Sequence, residues 1–162
     1  MKRIIIIALI GMFLGFSGFI QESKKERKAR EKLEMAQLID SGRFKFVARS
    51  AHSNLGNFDH LSTGYALIFD GLQLKAALPY YGIAYSAPYG GNGGVNFDLK
   101  ADTINKEWNE KKKVYTITTE LSDSEDTYSI YLSASLSGYS SLKINFRDRQ
   151  WIEYYGVIEK VE

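Results

Sequence analysis

Two kinds of apolar spacing divide the chain. Gln21 to Asp40 crowds charged residues without proline or glycine, and only its last two turns turn apolar, through Leu33, Met35, Ala36, Leu38 and Ile39. That pattern predicts a helix docked by its C-terminal end alone. Ser23 and Glu26 have capping-box spacing, and Ser41-Gly42 supplies the stop. From Gly42 onward the period falls to two. Phe44, Phe46 and Ala48 alternate with Arg43, Lys45 and Arg49 in a first strand, and a loop from Ser50 to His60 follows. Thr63 to Phe69 and Leu72 to Leu78 flank Asp70-Gly71, a dipeptide typical of a two-residue hairpin. Further alternating runs cover Val95 to Leu99, Thr103 to Trp108, Val114 to Leu121, Tyr128 to Leu136, the row Leu142, Ile144 and Phe146, and Trp151 to Val157. Eight or nine short strands are expected, with a polar turn at Ser122 to Asp126.

No long helical segment separates these strands, so no crossover supports a parallel sheet and the sheet is predicted to be antiparallel. The expected fold is mainly β. An antiparallel meander closes as a flattened lipocalin-like barrel, or as a two-sheet sandwich, preceded by one N-terminal helix, because one flat sheet leaves a greasy face and two edges exposed. Its interior is expected to hold Phe44, Phe46, Leu67, Phe69, Ile117, Ile130, Leu132, Ile144 and Phe146.

The first residues carry a different message. Lys2 and Arg3 precede a continuous apolar run from Ile4 to Leu14 and the small residues Gly15, Ser17 and Gly18, the pattern of an export signal over residues 1–17. The competing reading is an uncleaved anchor, and membrane contact is expected through that segment alone. Residues 18–40 then form the charged helical lead-in and residues 41–162 the β domain. The destination is periplasmic or secreted, and without cysteine the chain is neither a lipoprotein nor disulfide-bonded. With Lys2 and Arg3 removed, 19 basic residues face 19 acidic ones, which gives no electrostatic reason for a nucleic-acid partner.

The most specific stretch is Leu78 to Gly94, which holds both prolines, four tyrosines and a run of glycines. Proline and glycine together dictate one backbone path, along which tyrosines offer flat amphipathic surface. Tyr154-Tyr155-Gly156 echoes Tyr80-Tyr81-Gly82, and adjacent tyrosines in a strand point to opposite sides. The order of Phe44-x-Phe46-x-Ala48-Arg49-Ser50, Tyr65 with Asp70-Gly71, the proline-tyrosine-glycine block, Phe97, and Tyr154-Tyr155-Gly156-x-Ile158 resembles the bacterial domain of unknown function 4251 family, over about Lys32 to Ile158. The resemblance implies a small exported β domain behind a charged helix. It implies no activity.

Candidate chemistry is sparse. His52 and His60 fall in the expected loop after the first strand, no serine sits in a nucleophile elbow, and Asp123 to Asp126 lacks the ligand spacing of a calcium loop. The glycines from Gly90 to Gly94 lead into a strand, where a phosphate cradle needs a helix. No catalytic residue, metal or cofactor is therefore expected. The function expected is that of a non-enzymatic cell-envelope protein binding a small molecule, a glycan or an envelope protein through Tyr80, Tyr81, Tyr85, Tyr89, Asn92, Tyr154 and Tyr155. Two alternatives stand beside it: a structural or inhibitor-like envelope component without small ligand, and a hydrolase of envelope polymers using acids such as Asp98, Asp102, Glu107 and Glu120.

Overall fold

The computed structural model describes residues 23–53, 56, 58–83, 94–124 and 126–161. The expected leader lies outside the described residues, as does most of the glycine loop. The chain divides after Arg30 into two compact units. Of the first, the described part is the start of helix α1 (Lys24–Asp40). There the Ser23 hydroxyl accepts from the Glu26 N–H while the Glu26 carboxylate accepts from the Ser23 N–H, the reciprocal cap anticipated from the spacing.

The second unit, from Glu31 on, holds the last turns of α1 and ten strands: β1 (Arg43–Ser53), β2 (Phe58–His60), β3 (Ala66–Asp70), β4 (Gln73–Pro79), β5 (Gly94–Lys100), β6 (Asn105–Asn109), β7 (Val114–Ser122), β8 (Thr127–Ser135), β9 (Tyr139–Phe146) and β10 (Ile152–Glu159). Helix docking follows its sequence pattern, since Ile39 is fully buried, Leu38 and Met35 are half-buried and Leu33 is exposed. Gly42, at φ +69°, ends the helix and turns the chain into β1.

All pairings are antiparallel, and the order is β5-β4-β3-β1-β10-β9-β8-β7-β6, with β2 beside β1. The expectation of an antiparallel sheet behind one helix holds, but closure takes another form. This is one continuous sheet, curled and open. Among the described residues no ladder joins the edge strands β5 and β6. The curl is nevertheless deep. Phe97 of β5 and Tyr128 of β8 stand six positions apart in the sheet, roughly 29 Å if it were flat, yet their ring centroids are 4.8 Å apart. The link after β5 runs across the open side, where the Ala101 N–H donates to Leu72 O at 2.8 Å and the Thr119 hydroxyl to Thr103 O at 2.7 Å. Side chains fill what hydrogen bonds leave open. Eight of the nine residues expected inside are buried, and the ninth, Phe146, is half-buried against them.

Two local expectations shift. The Asp70-Gly71 hairpin exists, but Asp70 pairs with Gln73, so Gly71 and Leu72 are the central residues, with Gly71 at φ +62° in the first of them. The predicted loop from Ser50 to His60 is instead partly strand. A bulge between Ala48 and Ser50 makes Arg49 the extra residue in the β1–β10 ladder. It inverts the alternation, so that Ala51 and Ser53 face the core opposite Tyr154 and Ile152 while β1 changes its other neighbour from β3 to β2.

Candidate functional site

The two tyrosine pairs split as their adjacency requires. Tyr154 is fully buried and its hydroxyl donates to Pro79 O at 2.6 Å, joining β10 to the end of β4 across the concave face. The Tyr80 hydroxyl donates to Gln150 O at 2.8 Å, and the Gln150 N–H donates to Ile83 O at 3.1 Å. These two side chains hold the start of the tyrosine loop against the turn before β10. Both hydroxyls, named in the sequence as ligand-binding candidates, are engaged in these contacts, Tyr154 fully buried and Tyr80 half-buried. Desolvation is the leading cause that pushes the Tyr154 hydroxyl far up, as burial disfavours a phenolate.

Around them sits an ion pair whose acid, Asp126, the sequence places in a polar turn. Asp126 is buried, and its carboxylate lies 2.9 Å from Arg149 Nε. The other carboxylate oxygen accepts from the backbone N–H groups of Thr127 and Arg147. The guanidinium stacks 4.3 Å from the Phe146 ring and 5.2 Å from that of Tyr80, and donates to Gly94 O at 3.2 Å. Tyr128 completes this clamp by donating to the Asp123 carboxylate, and its hydroxyl is pushed up to about 12, first by desolvation and then by the Asp123 charge. The clamp pins the first residue of β5, so the far side of the glycine loop is anchored as firmly as the near side. It is a structural device.

The outward partners are different. Tyr81 is 40% exposed and Tyr155 43% exposed. Partial desolvation, then Tyr65 and Asp59, raise the Tyr81 hydroxyl. Tyr155 lies on the convex face, opposite Ser50 of β1 and Ser141 of β9. Sequence reasoning missed the aromatic residues that surround them. Phe58 is exposed and stands edge-on to His60, while His52 lies 6.3 Å from Trp151, over which Lys143 Nζ sits at 4.5 Å. Tyr131 is exposed one row away. The signal was present in part: Tyr131 between Ile130 and Leu132 has to point outward. Both histidines therefore lie on strands of one rim, not in a loop. Tyr85, Tyr89 and Asn92 lie outside the described residues.

Two further features among the described residues concern a cleft and the acidic side chains. A cleft of about 180 Å³ at the helix end, lined by Ile39, Phe44, Phe69, Leu72, Ile104 and Lys106 among others, touches none of the tyrosines. It falls short of the roughly 300–1,000 Å³ usual for ligand pockets. Asp98, on edge strand β5, accepts from Gln73 Nε2 at 2.7 Å and pairs with Lys75, whereas Glu107 and Glu120 lie near the other edge, on β6 and β7. Among the described residues no group of three His, Cys, Asp or Glu side chains is placed to hold a metal ion.

Comparison with known proteins bears on the architecture. The family model described as "Domain of unknown function (DUF4251)" matches residues 26–158. A crystal structure of a DUF4251 family protein from Bacteroides eggerthii DSM 20697 superposes with a TM-score of 0.61 at 12% identity, covering 82% of this chain and 89% of that one. At that identity the likeness is one of fold. No curated protein matches the chain.

Proposed function

From its membership of the DUF4251 family, to which this chain belongs through most of its length, we propose that the protein is an exported cell-envelope domain that recognises a macromolecular partner on its outer surface and performs no catalysis. The observation that carries this reading is the division of aromatic residues. Inward Tyr154 is consumed in packing the concave face, while Phe58, Trp151 and Tyr155 lie outward on and beside β1, β2 and β10 and Tyr81 is exposed. Exposed aromatic residues close together mark interaction sites more often than chance exposure does. On this reading residues 1–17 direct export to the periplasm or beyond, residues 18–40 act as a spacer, and residues 41–162 bind.

The test uses the mature protein immobilised and challenged with fractionated cell envelope. A Phe58→Ala, Tyr81→Ala, Tyr155→Ala triple variant is expected to keep its thermal midpoint within a few degrees and to lose the captured material. Undiminished capture by a folded triple variant refutes the reading.

A further inference from the structure

Resting on that reading of the outer surface, we propose that the partner is an uncharged polysaccharide lying across the convex face of β7 to β10. The convex face has two chemically distinct halves. Over β1, β3, β4 and β5 it is an ordinary solvated sheet, with opposite charges paired across strands: Arg43 with Asp70 at 2.8 Å and Lys75 with Asp98 at 3.6 Å. The other half carries fewer charges and more hydroxyls. On β8, one of its two inner strands, every outward position carries a hydroxyl: Thr127, Ser129, Tyr131, Ser133 and Ser135. Ladder register extends the grid sideways, placing Thr116, Ser133, Ser141 and Tyr155 in one row. In the adjacent row Tyr131, Lys143 and Glu153 stand in register, with Lys143 over the Trp151 ring and the Glu153 carboxylate accepting from Tyr155.

Chemistry then selects among partners. A hydroxyl both donates and accepts, so a fixed array of them pairs with the hydroxyls of a sugar chain in either sense. Short serines also lose little rotamer freedom when they do so. Tyr131 and Tyr155 stand roughly 12 Å apart on this lattice, from strand spacing and rise per residue, and offer flat rings to the apolar C–H faces of successive sugar rings. A protein partner fits less well, because interface cores are depleted in serine and binding hot spots are poor in serine and threonine. A polyanion lacks the basic positions that neutralise it.

Native electrophoresis through gels containing dextran, laminarin or galactomannan, with alginate as the charged control, tests the assignment. Retardation is expected in at least one neutral gel and not in alginate. Ser133→Glu is expected to weaken it at least tenfold, Tyr131→Ser, which keeps a hydroxyl and removes the ring, severalfold, and Lys75→Glu on the charged half not at all. Absence of retardation in all three neutral gels overturns the proposal, as does retardation that neither Ser133→Glu nor Tyr131→Ser reduces. If envelope capture depends on Tyr81 and Tyr155 while the gels show nothing, surface recognition stands and the polysaccharide does not. Retardation of the wild type that Ser133→Glu abolishes, alongside envelope capture that the triple variant retains, supports the polysaccharide and refutes the aromatic cluster as the capturing surface.

Discussion

Gly156, in the Tyr154-Tyr155-Gly156 motif, sits where β10 passes the bulged part of β1. A Cβ added there would stand 2.0 Å from the carbonyl oxygen of Val47 and 3.0 Å from the Phe46 ring. The first obstacle is backbone, so no rotamer change relieves it, and the two strands have to part by more than an ångström. Overpacking costs about 1–3 kcal/mol, and each ladder hydrogen bond lost with it about 1 kcal/mol more. Gly156→Ala is therefore expected to destabilise by about 3–5 kcal/mol, lowering the thermal midpoint by about 10–15 °C in a domain of this size. Gly71→Ala provides the contrast, because that position has open space but a φ of +62°, and left-handed strain costs about 1 kcal/mol. Urea unfolding of both variants checks the ranking. A Gly156→Ala variant no weaker than Gly71→Ala, or one rescued by Phe46→Leu, refutes the reasoning, since rescue would make the ring the obstacle.

Other variants probe the clamp and the tyrosines. Asp126→Ala strands the Arg149 guanidinium in a site where both side chains are largely buried, and a loss of about 3 kcal/mol is expected; Asp70→Ala, which breaks an exposed pair, should cost under about 1 kcal/mol by the same urea assay. Tyr154→Phe leaves Pro79 O without its donor and should cost about 1–3 kcal/mol, whereas Tyr155→Phe should leave the midpoint unchanged. Tyr128 ionises in the native state only near pH 12 against about 10 when unfolded, so its contribution is fully present below pH 10 and is lost as pH rises toward 12. Urea midpoints should hold below pH 10 and fall above it; a midpoint that rises over that interval contradicts the sign.

Much of this fold is legible because the information is local. Period-two alternation states which side of each strand is apolar without reference to any partner, and Phe44, Phe46, Leu67, Ile130 and Leu132 are buried as that alternation requires. The cap at Ser23 and Glu26 and the stop at Gly42 are equally short-range. Adjacency alone separates Tyr154 from Tyr155. The Arg149–Asp126 pair was not legible, since 23 residues separate its members and Asp126 sits in a run of polar residues that resembles any solvated turn.

By itself, then, the order of residues determines helix, strands, their facing and the sharp turns, because each depends on neighbours within a few positions. Only the folded chain decides that consecutive strands β5 and β6 lie at opposite edges, that β1 meets β10 to make one sheet, and that the sheet curls until Phe97 touches Tyr128. Those outcomes depend on register between distant segments and on the bulge at Arg49, which no local pattern encodes. The hydroxyl rows of the convex face arise in the same way, since Thr116, Ser133, Ser141 and Tyr155 become neighbours only when three ladders align them.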